Sequence, residues 1–208
     1  MFSKVVMVLG SWLVASIAAA TLPSTSTSHD ICHGLQCPKF VVLNKTADWE
    51  LRHYEATKWA SANVTAMFKD EVGNQLFQYL FQYISKDNAA HTKIDMTAPV
   101  VTKIIHGQGP NCESEIIMHF MLPFAYWDSP IQPTNPAVTI QEIPAMDVYV
   151  RSFGGFAKDS DYLDNLAKLS GDLVVAGFPI EDAYFFTAGY DGPYTFLNRH
   201  NEVWIKKN

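Results

Sequence analysis

The sequence WELRHYEATKWAS, at residues 49–61, is matched in pattern by VTIQEIPAMDVYV, at residues 138–150. In each stretch a segment rich in β-forming residues is followed by three connecting residues, 54–56 or 143–145, and then by a second segment rich in β-forming residues. The first stretch predicts one long strand over residues 49–60. The two stretches lie 89 residues apart, which indicates that the chain consists of two similar halves.

Each half carries one amphipathic helix after its opening strands. In the first half, apolar residues at spacing four predict a helix that begins near Asp70 and ends near residues 87–88. Its apolar positions are Val72, Leu76, Leu80 and Ile84. In the second half, four leucines predict a helix over residues 160–175, which Gly177 and Pro179 end. These inward leucines are Leu163, Leu166, Leu169 and Leu173.

Further strands are predicted from short apolar runs: residues 40–43, 101–105, 116–122, 184–188 and 202–205. Between them, a proline-rich loop is predicted over residues 123–136. Two copies of strand–helix–strand–strand therefore predict a pseudo-twofold α+β domain, in which one curved antiparallel sheet or barrel carries two helices. A repeat of this size often leaves a cleft between its halves, and clefts are where ligands bind.

Composition excludes several classes of protein. Hydrophobic residues make up 48% of the chain and charged residues 17%, which excludes disorder, collagen and coiled coil. Fifteen Lys and Arg against 21 Asp and Glu give a net charge of −6 without a basic tract. Such a chain has no electrostatic footprint for nucleic acid, so we exclude nucleic-acid binding as its main function.

The N-terminus has the pattern of a secretory signal peptide. Residues 5–19 are uncharged and apolar and run into small residues that favour cleavage after Ala20. The stretch is short for a membrane span and no other segment reaches 18 apolar residues, so we expect a secreted, extracellular protein without a span in the mature chain. Residues 21–36 predict a flexible leader, and residues 37–208 a single domain.

Two N-glycosylation acceptor tripeptides agree with export. Asn44 and Asn63 each stand two residues before a threonine. Such tripeptides arise often by chance, but together with a signal peptide they predict glycans on the surface.

The three cysteines predict one disulfide and one remaining thiol in an oxidising compartment. Any two of Cys32, Cys37 and Cys112 can pair. We favour Cys37–Cys112, because this link constrains the unfolded chain more than the short Cys32–Cys37 loop does. His29 and His33 lie beside two of these cysteines, but a second ligand pair of the zinc-ribbon kind is missing, which argues against a metal site.

The sequence contains no catalytic signature. It lacks the Gly-x-Ser-x-Gly elbow, the His-Glu-x-x-His motif and a phosphate-binding glycine loop. Cys112 beside Glu113 is more typical of a disulfide partner than of a nucleophile. The pattern therefore favours a binding protein over an enzyme.

His53 is a candidate ligand for haem iron. Strand alternation places it on the same face as Trp49 and Leu51, and a histidine beside apolar side chains can bind haem iron. The alternative is a half-exposed strand histidine whose ring is hydrogen-bonded. Met96 is a candidate second, soft ligand, with a core position between helix and strand as its alternative.

Five motifs then follow one another along the chain: ELRHY with KW (50–59), KIDMTAPV (93–100), VRSFGGF (150–156), TAGY (187–190) and NRHNEVW (198–204). In these motifs the sequence resembles the SOUL haem-binding protein family over residues 37–208. The string ending in Met-Thr-Ala-Pro-Val is quite specific, and five such motifs in the same order do not arise by coincidence.

This resemblance implies a distorted antiparallel β-barrel with two α-helices, built from two pseudo-repeated halves. It also implies non-covalent binding of haem or another tetrapyrrole in an apolar cleft, without turnover. In one branch of the family, the histidine at the position of His53 is the suggested axial ligand of the haem iron. In another branch, an apolar groove beside the first helix holds the porphyrin without such a ligand.

One departure from the family concerns the propionates. The positions of the basic first-helix residues of that second branch correspond here to Asn74 and Gln82, and neutral amides bind a carboxylate more weakly than Arg or Lys does. Arg52, Lys69 and Lys93 are the alternative partners for a propionate.

Two other functions stay open at this point. The resemblance also implies a protein-interaction module that contacts cell-death regulators through a helical segment near residues 163–181, although a signal peptide argues against a cytosolic partner. The third hypothesis is a carrier of another apolar molecule, such as a chlorin, a bilin or a lipid.

Overall fold

A single antiparallel sheet forms the centre of the computed structural model, which describes residues 31–107, 109 and 112–208. Its nine strands, counted within these residues, are β1 (Phe40–Lys45), β2 (Glu50–Tyr54), β3 (Thr57–Ala66), β4 (Val100–Ile105), β5 (Ser114–Met121), β6 (Thr139–Ile143), β7 (Met146–Phe153), β8 (Tyr184–Gly189) and β9 (Asn201–Lys206). Two α-helices, α1 (Lys69–Ile84) and α2 (Asp159–Val175), interrupt them. The predicted signal peptide, residues 1–20, lies outside the described residues.

The order of the strands across the sheet mirrors the two halves of the sequence. From edge to edge it reads β1-β2-β7-β9-β8-β4-β5-β3-β6. With β2–β5 as one half and β6–β9 as the other, corresponding strands lie equally far from the central β4–β8 pair. A pseudo-twofold axis therefore passes beside Thr102 and Thr187, which are register partners. The predicted α+β fold of two halves is confirmed, and the barrel is a curled half-barrel sheet.

The opening strands of the two halves exchange places. The first strand of the first half, β2, pairs with β7 of the second half, and β6 of the second half pairs with β3 of the first. The prediction of one strand over residues 49–60 is therefore wrong. Because β2 and β3 lie on opposite sides of the central pair, the chain leaves one strand at Tyr54 and begins the next at Thr57.

Each helix packs on the strands of its own half. α1 lies on β3 and β5, and α2 lies on β7 and β9. Fully buried leucines hold both helices in place: Leu76, Leu80, Leu169 and Leu173. Among the described residues, neither helix combines the length and apolar character that crossing a bilayer requires.

The first helix ends at Ile84, before the predicted end at residues 87–88. Lys86 has a φ of 111°, a backbone conformation that a helix cannot contain. The buried Asn88 side chain donates hydrogen bonds to the carbonyl groups of Tyr83 and Thr92, both at 2.8 Å. Asn88 thus stabilises the turn that follows the helix, not the helix itself.

The face of the sheet opposite the helices, here called the helix-free face, has a core of its own. Trp59, Phe186 and Trp204 lie in this core, because successive strand residues point to opposite faces. Ile31 and Cys32 pack against the same core. The packed part of the chain therefore includes Ile31 and Cys32, which lie within the predicted leader at residues 21–36, whereas residues 33–36 are exposed.

The disulfide joins Cys32 to Cys37, whose Cα atoms are 6.3 Å apart. The favoured pairing of Cys37 with Cys112 is therefore wrong. The left-handed backbone of His33 and Gly34, with φ of 50° and 80°, turns the chain so that the two nearby cysteines meet. Cys112 is an exposed free thiol.

Candidate functional site: an apolar cleft between the helix N-termini

The N-termini of the two helices meet beside the pseudo-twofold axis and cap each other. The backbone amide of Asp70 donates to the Asp159 carboxylate at 2.8 Å, and the amide of Asp159 donates to the Asp70 carboxylate at 3.3 Å. The Lys69 ammonium lies 2.8 Å from Asp159 Oδ1. A carboxylate at a helix N-terminus satisfies free amides and complements the helix dipole, so each half completes the helix of the other.

Charge at this junction is balanced locally. Burial alone would raise the pKa of the Asp159 carboxyl, but the hydrogen bond from Lys69 and the amide of Asp70 outweigh burial, and the pKa falls below its ordinary value. The Lys69 ammonium also lies 4.9 Å from the centre of the Tyr162 ring. Burial raises the pKa of Tyr162 to about 12, and its hydroxyl bonds to Asn201 at 3.2 Å.

Next to this junction lies an open cleft of about 570 Å³, its open side included. Its floor is the helix-bearing face of the central strands, where Ile104 and Phe185 are register partners. Met67, Phe68 and Leu163 form its walls, and these residues are 42%, 56% and 48% exposed. Exposed apolar side chains around a concave apolar floor are typical of a ligand site.

The cleft also presents an imidazole. His106 directly follows β4, lines the cleft and packs on Phe185, with the ring centres 5.4 Å apart. The residue is exposed, and no other described group hydrogen-bonds its ring. Sequence reasoning missed His106, although strand alternation from Thr102 through Ile104 places it on the floor side of the sheet.

His53 lies elsewhere, on β2 opposite Asp147 of β7. Its Nδ1 is 2.7 Å from Asp147 Oδ1 and its side chain is 44% exposed. Trp49 and Leu51 pack with the buried face of α2, and His53 does not line the cleft. A carboxylate on one ring nitrogen is the usual support for a histidine that binds metal through the other, so His53 as an iron ligand stays a prediction. Met96 packs in the core beneath α1.

Of the three candidate propionate partners, only Lys69 borders the cleft. Arg52 is buried and donates to Glu50 at 2.8 Å and to Glu202 at 3.0 Å. Lys93, like Asn74 and Gln82 on α1, is exposed and lies outside the cleft.

The ion pair of Arg52 and Glu202 is part of the core. Burial alone would raise the pKa of the Glu202 carboxyl, but the charge of Arg52, together with hydrogen bonds from His200 and Trp204, lowers it to about 2. The Tyr190 hydroxyl donates to the same carboxylate at 2.8 Å. Removal of one partner would leave the other charged and buried. Arg52 therefore stabilises the fold through this ion pair.

The remaining predicted positions lie on the surface or in the core. Asn44 and Asn63 are both exposed on strands, and the Asn63 amide donates to Glu115 at 3.0 Å; their glycosylation stays a prediction. In the segment at residues 163–181, Leu169 and Leu173 are fully buried against the sheet. A protein partner could therefore not reach these two leucines without displacing α2.

These features define a class of α+β protein in which two repeated halves share one curled sheet and leave an apolar cleft between their helices. The family model described as SOUL heme-binding protein matches residues 35–206, and this chain belongs to the SOUL haem-binding protein family. Heme-binding protein 2 of Homo sapiens is 37% identical over 161 residues, which are 77% of this chain and 78% of that protein. Heme-binding protein 1 of Xenopus tropicalis is 29% identical over 160 residues, which are 77% and 84% of the two chains.

Solved structures of very different sequence share the fold. The C-terminal domain of EcmrR aligns with a TM-score of 0.57 at 12% identity, over 77% of this chain and 98% of that chain. A hydrolase from Listeria innocua aligns with a TM-score of 0.53 at 8% identity, over 80% of this chain and 94% of that chain. At these identities the likeness shows the fold alone.

Proposed function

We propose that this protein binds haem or a related tetrapyrrole non-covalently in the cleft between its helices, without catalytic turnover. The observation that carries the proposal is the open apolar cleft between the two halves of a chain that belongs to the SOUL haem-binding protein family. Ile104 and Phe185 offer an apolar floor on which a macrocycle can pack, and the exposed apolar side chains of Met67, Phe68 and Leu163 surround it. The residues present therefore fit the group.

Two histidines are candidates for the iron. Haem, when bound, supplies an iron that accepts a nitrogen ligand. His106 lines the cleft, and its ring makes no hydrogen bond with another described residue, whereas His53 bonds to Asp147 outside the cleft. We therefore propose His106 as the first candidate ligand and keep His53 as the second. Lys69, at the border of the cleft, is the candidate partner for a propionate.

A haemin titration followed by Soret absorbance tests this function on the disulfide-intact protein. We expect a saturable one-to-one shift in the wild type and in His53→Ala, and a changed Soret position in His106→Ala. His91→Asn is the matched control, because His91 is exposed and lies outside the cleft. Loss of the shift in His53→Ala alone would assign the ligand to His53. Absence of a saturable shift in the wild type would overturn haem binding.

Metal-free protoporphyrin IX separates binding in the cleft from binding to iron. Its fluorescence should still change on binding to His106→Ala, because this ligand has no iron for the imidazole to bind. Competition of a bilin or a chlorin with the porphyrin then measures which tetrapyrrole binds best. If only these compounds saturate the protein, it is a carrier of another tetrapyrrole.

We further propose that the protein is exported and glycosylated. The apolar stretch at residues 5–19 and the exposed acceptors Asn44 and Asn63 support this proposal. Expression in a secretory cell should give protein in the medium that starts after Ala20 and becomes smaller with an endoglycosidase. Retention of the uncleaved chain inside the cell would contradict export.

A further inference from the structure

A second cleft lies on the helix-free face of the sheet. It is lined by residues that alternate along the strands with those of the first cleft. Lys103 precedes Ile104 on β4, and Tyr184 precedes Phe185 on β8. Because neighbouring strand residues point to opposite faces, the sheet separates the two clefts. The second cleft holds about 790 Å³, its open side included, and the β6–β7 turn covers one flank.

A buried imidazole with an unsatisfied nitrogen lines this cleft. His119 on β5 is 2% exposed, and its Nδ1 lies 2.7 Å from Ser61 Oγ. Its Nε2 is buried and has no hydrogen-bond partner among the described groups. Buried polar atoms nearly always have a partner in folded proteins, so Nε2 calls for one from outside the chain.

The His119 ring is neutral at ordinary pH. Burial, helped by the positive charge of Lys103, lowers its pKa to about 3. A neutral imidazole has one N–H. When the Ser61 hydroxyl donates to Nδ1, the proton lies on Nε2, which is then a donor for which the described residues supply no acceptor.

Two ammonium groups line the same cleft. Lys103 and Lys206 both border it, and neither has a carboxylate within 4.0 Å in the part of the chain that the structure describes. Lys103 Nζ lies 3.8 Å from the centre of the Tyr184 ring. Burial lowers the pKa of Lys103, the charges of Glu115 and Glu181 oppose this change, and Lys206 adds to it. The exposed Glu142 stands at the rim.

We infer that this second cleft binds a small amphipathic carboxylate. Its carboxylate lies between the ammonium groups of Lys103 and Lys206 and accepts a hydrogen bond from His119 Nε2. Its apolar body packs on Ile117, Ile143 and Tyr184, which line the same cleft. This site is separate from the tetrapyrrole site and does not depend on it.

Isothermal titration calorimetry with sodium decanoate tests the site, and decanol is the uncharged comparison ligand of equal chain length. We expect one molecule of decanoate per chain, and decanol at least tenfold weaker. The double variant Lys103→Met, Lys206→Met should lose at least tenfold in decanoate affinity. Lys207→Met is the matched control, because Lys207 directly follows Lys206 and its Nζ lies 3.9 Å from Asp147 Oδ2. The affinity of this variant for decanoate should stay within twofold of the wild type.

The inference would be overturned by no saturable heat with decanoate, by equal affinity for decanol and decanoate, or by an unchanged affinity of the double variant. Competition with metal-free protoporphyrin IX would place decanoate in the first cleft and would also overturn it.

The imidazole contact has its own test, which needs no variant. Long-range ¹H–¹⁵N spectra of the wild type report the tautomer of His119 and the chemical shift of Nε2. The chemical shift of Nε2 should change on addition of decanoate. An unchanged chemical shift at saturating decanoate would exclude His119 from the site.

Discussion

At the residue scale, the charge state of a buried ionisable group in this protein depends on its partners more than on its chemical type. Glu202 is fully buried yet charged because Arg52 and four other hydrogen-bonding groups surround it. His119 is equally buried but has only Ser61 and a nearby positive charge, so it is neutral. Sequence reasoning could not separate these cases, because the partners lie far apart along the chain.

The two groups have different consequences for stability in acid. His119 has a folded-state pKa of about 3, below its ordinary value of 6.5, so folding favours the neutral ring. Its contribution to stability is complete above pH 6.5 and is lost as the pH falls toward 3. The pKa of Glu202 is also lowered, from 4.5 to about 2, so its contribution is lost only below pH 4.5.

We therefore predict that the unfolding free energy of the wild type falls between pH 6.5 and pH 4.5, above the range in which Glu202 titrates. In His119→Asn, which removes the titrating ring, the fall over this range should be smaller. Urea unfolding at pH 7, 5.5 and 4.5 measures both proteins. Parallel curves for the two would show that His119 is not the group responsible.

At the element scale, periodicity predicted both helices but not the role of each apolar position. Four leucines of α2 were expected to point inward. Leu169 and Leu173 do so, whereas Leu163 is 48% exposed and forms a wall of the cleft. The buried stripe instead passes through Tyr162, one position away, where its hydroxyl finds Asn201. A wide apolar face contains both core and ligand-facing positions, and spacing alone does not divide them.

Substitution of these leucines should separate folding from binding. Leu169→Ala removes a fully buried side chain and should lower the unfolding free energy by about 2–5 kcal/mol. Leu163→Ala should change it by less than about 0.5 kcal/mol and should weaken porphyrin binding severalfold. Urea unfolding and porphyrin fluorescence measure the two effects. A large loss of stability in Leu163→Ala would show that this residue belongs to the core.

At the scale of the whole molecule, the repeat in the sequence predicted the α+β class and the two-part architecture. It did not predict which strands pair, because the pattern of a strand records its burial and not its partner. The long strand expected over residues 49–60 divides at residues 55–56 for this reason. The disulfide shows the same limit: chain entropy favoured a long loop, but the turn at His33 and Gly34 brings the nearer pair together.

The cleft is likewise a property of the assembled halves. Its walls come from Met67 and Phe68 in one half and Leu163 in the other, and its floor from β4 and β8. Each of these residues is unremarkable in the sequence. His106 became a candidate ligand only when the floor was known, whereas His53, in a more conspicuous motif, lies outside the cleft.

The exchange of the opening strands has a consequence for any shortened chain. A fragment of residues 138–208 would carry β6 without the strand it pairs with, and would leave one edge of β8 open. Another copy of the same fragment can supply both missing partners at once. Its β7 can replace β3 as the partner of β6, and its β8 can replace β4 as the partner of β8. Such a fragment should sediment either as a strand-swapped homodimer or as an unfolded chain, and a folded monomer would show that the halves are independent.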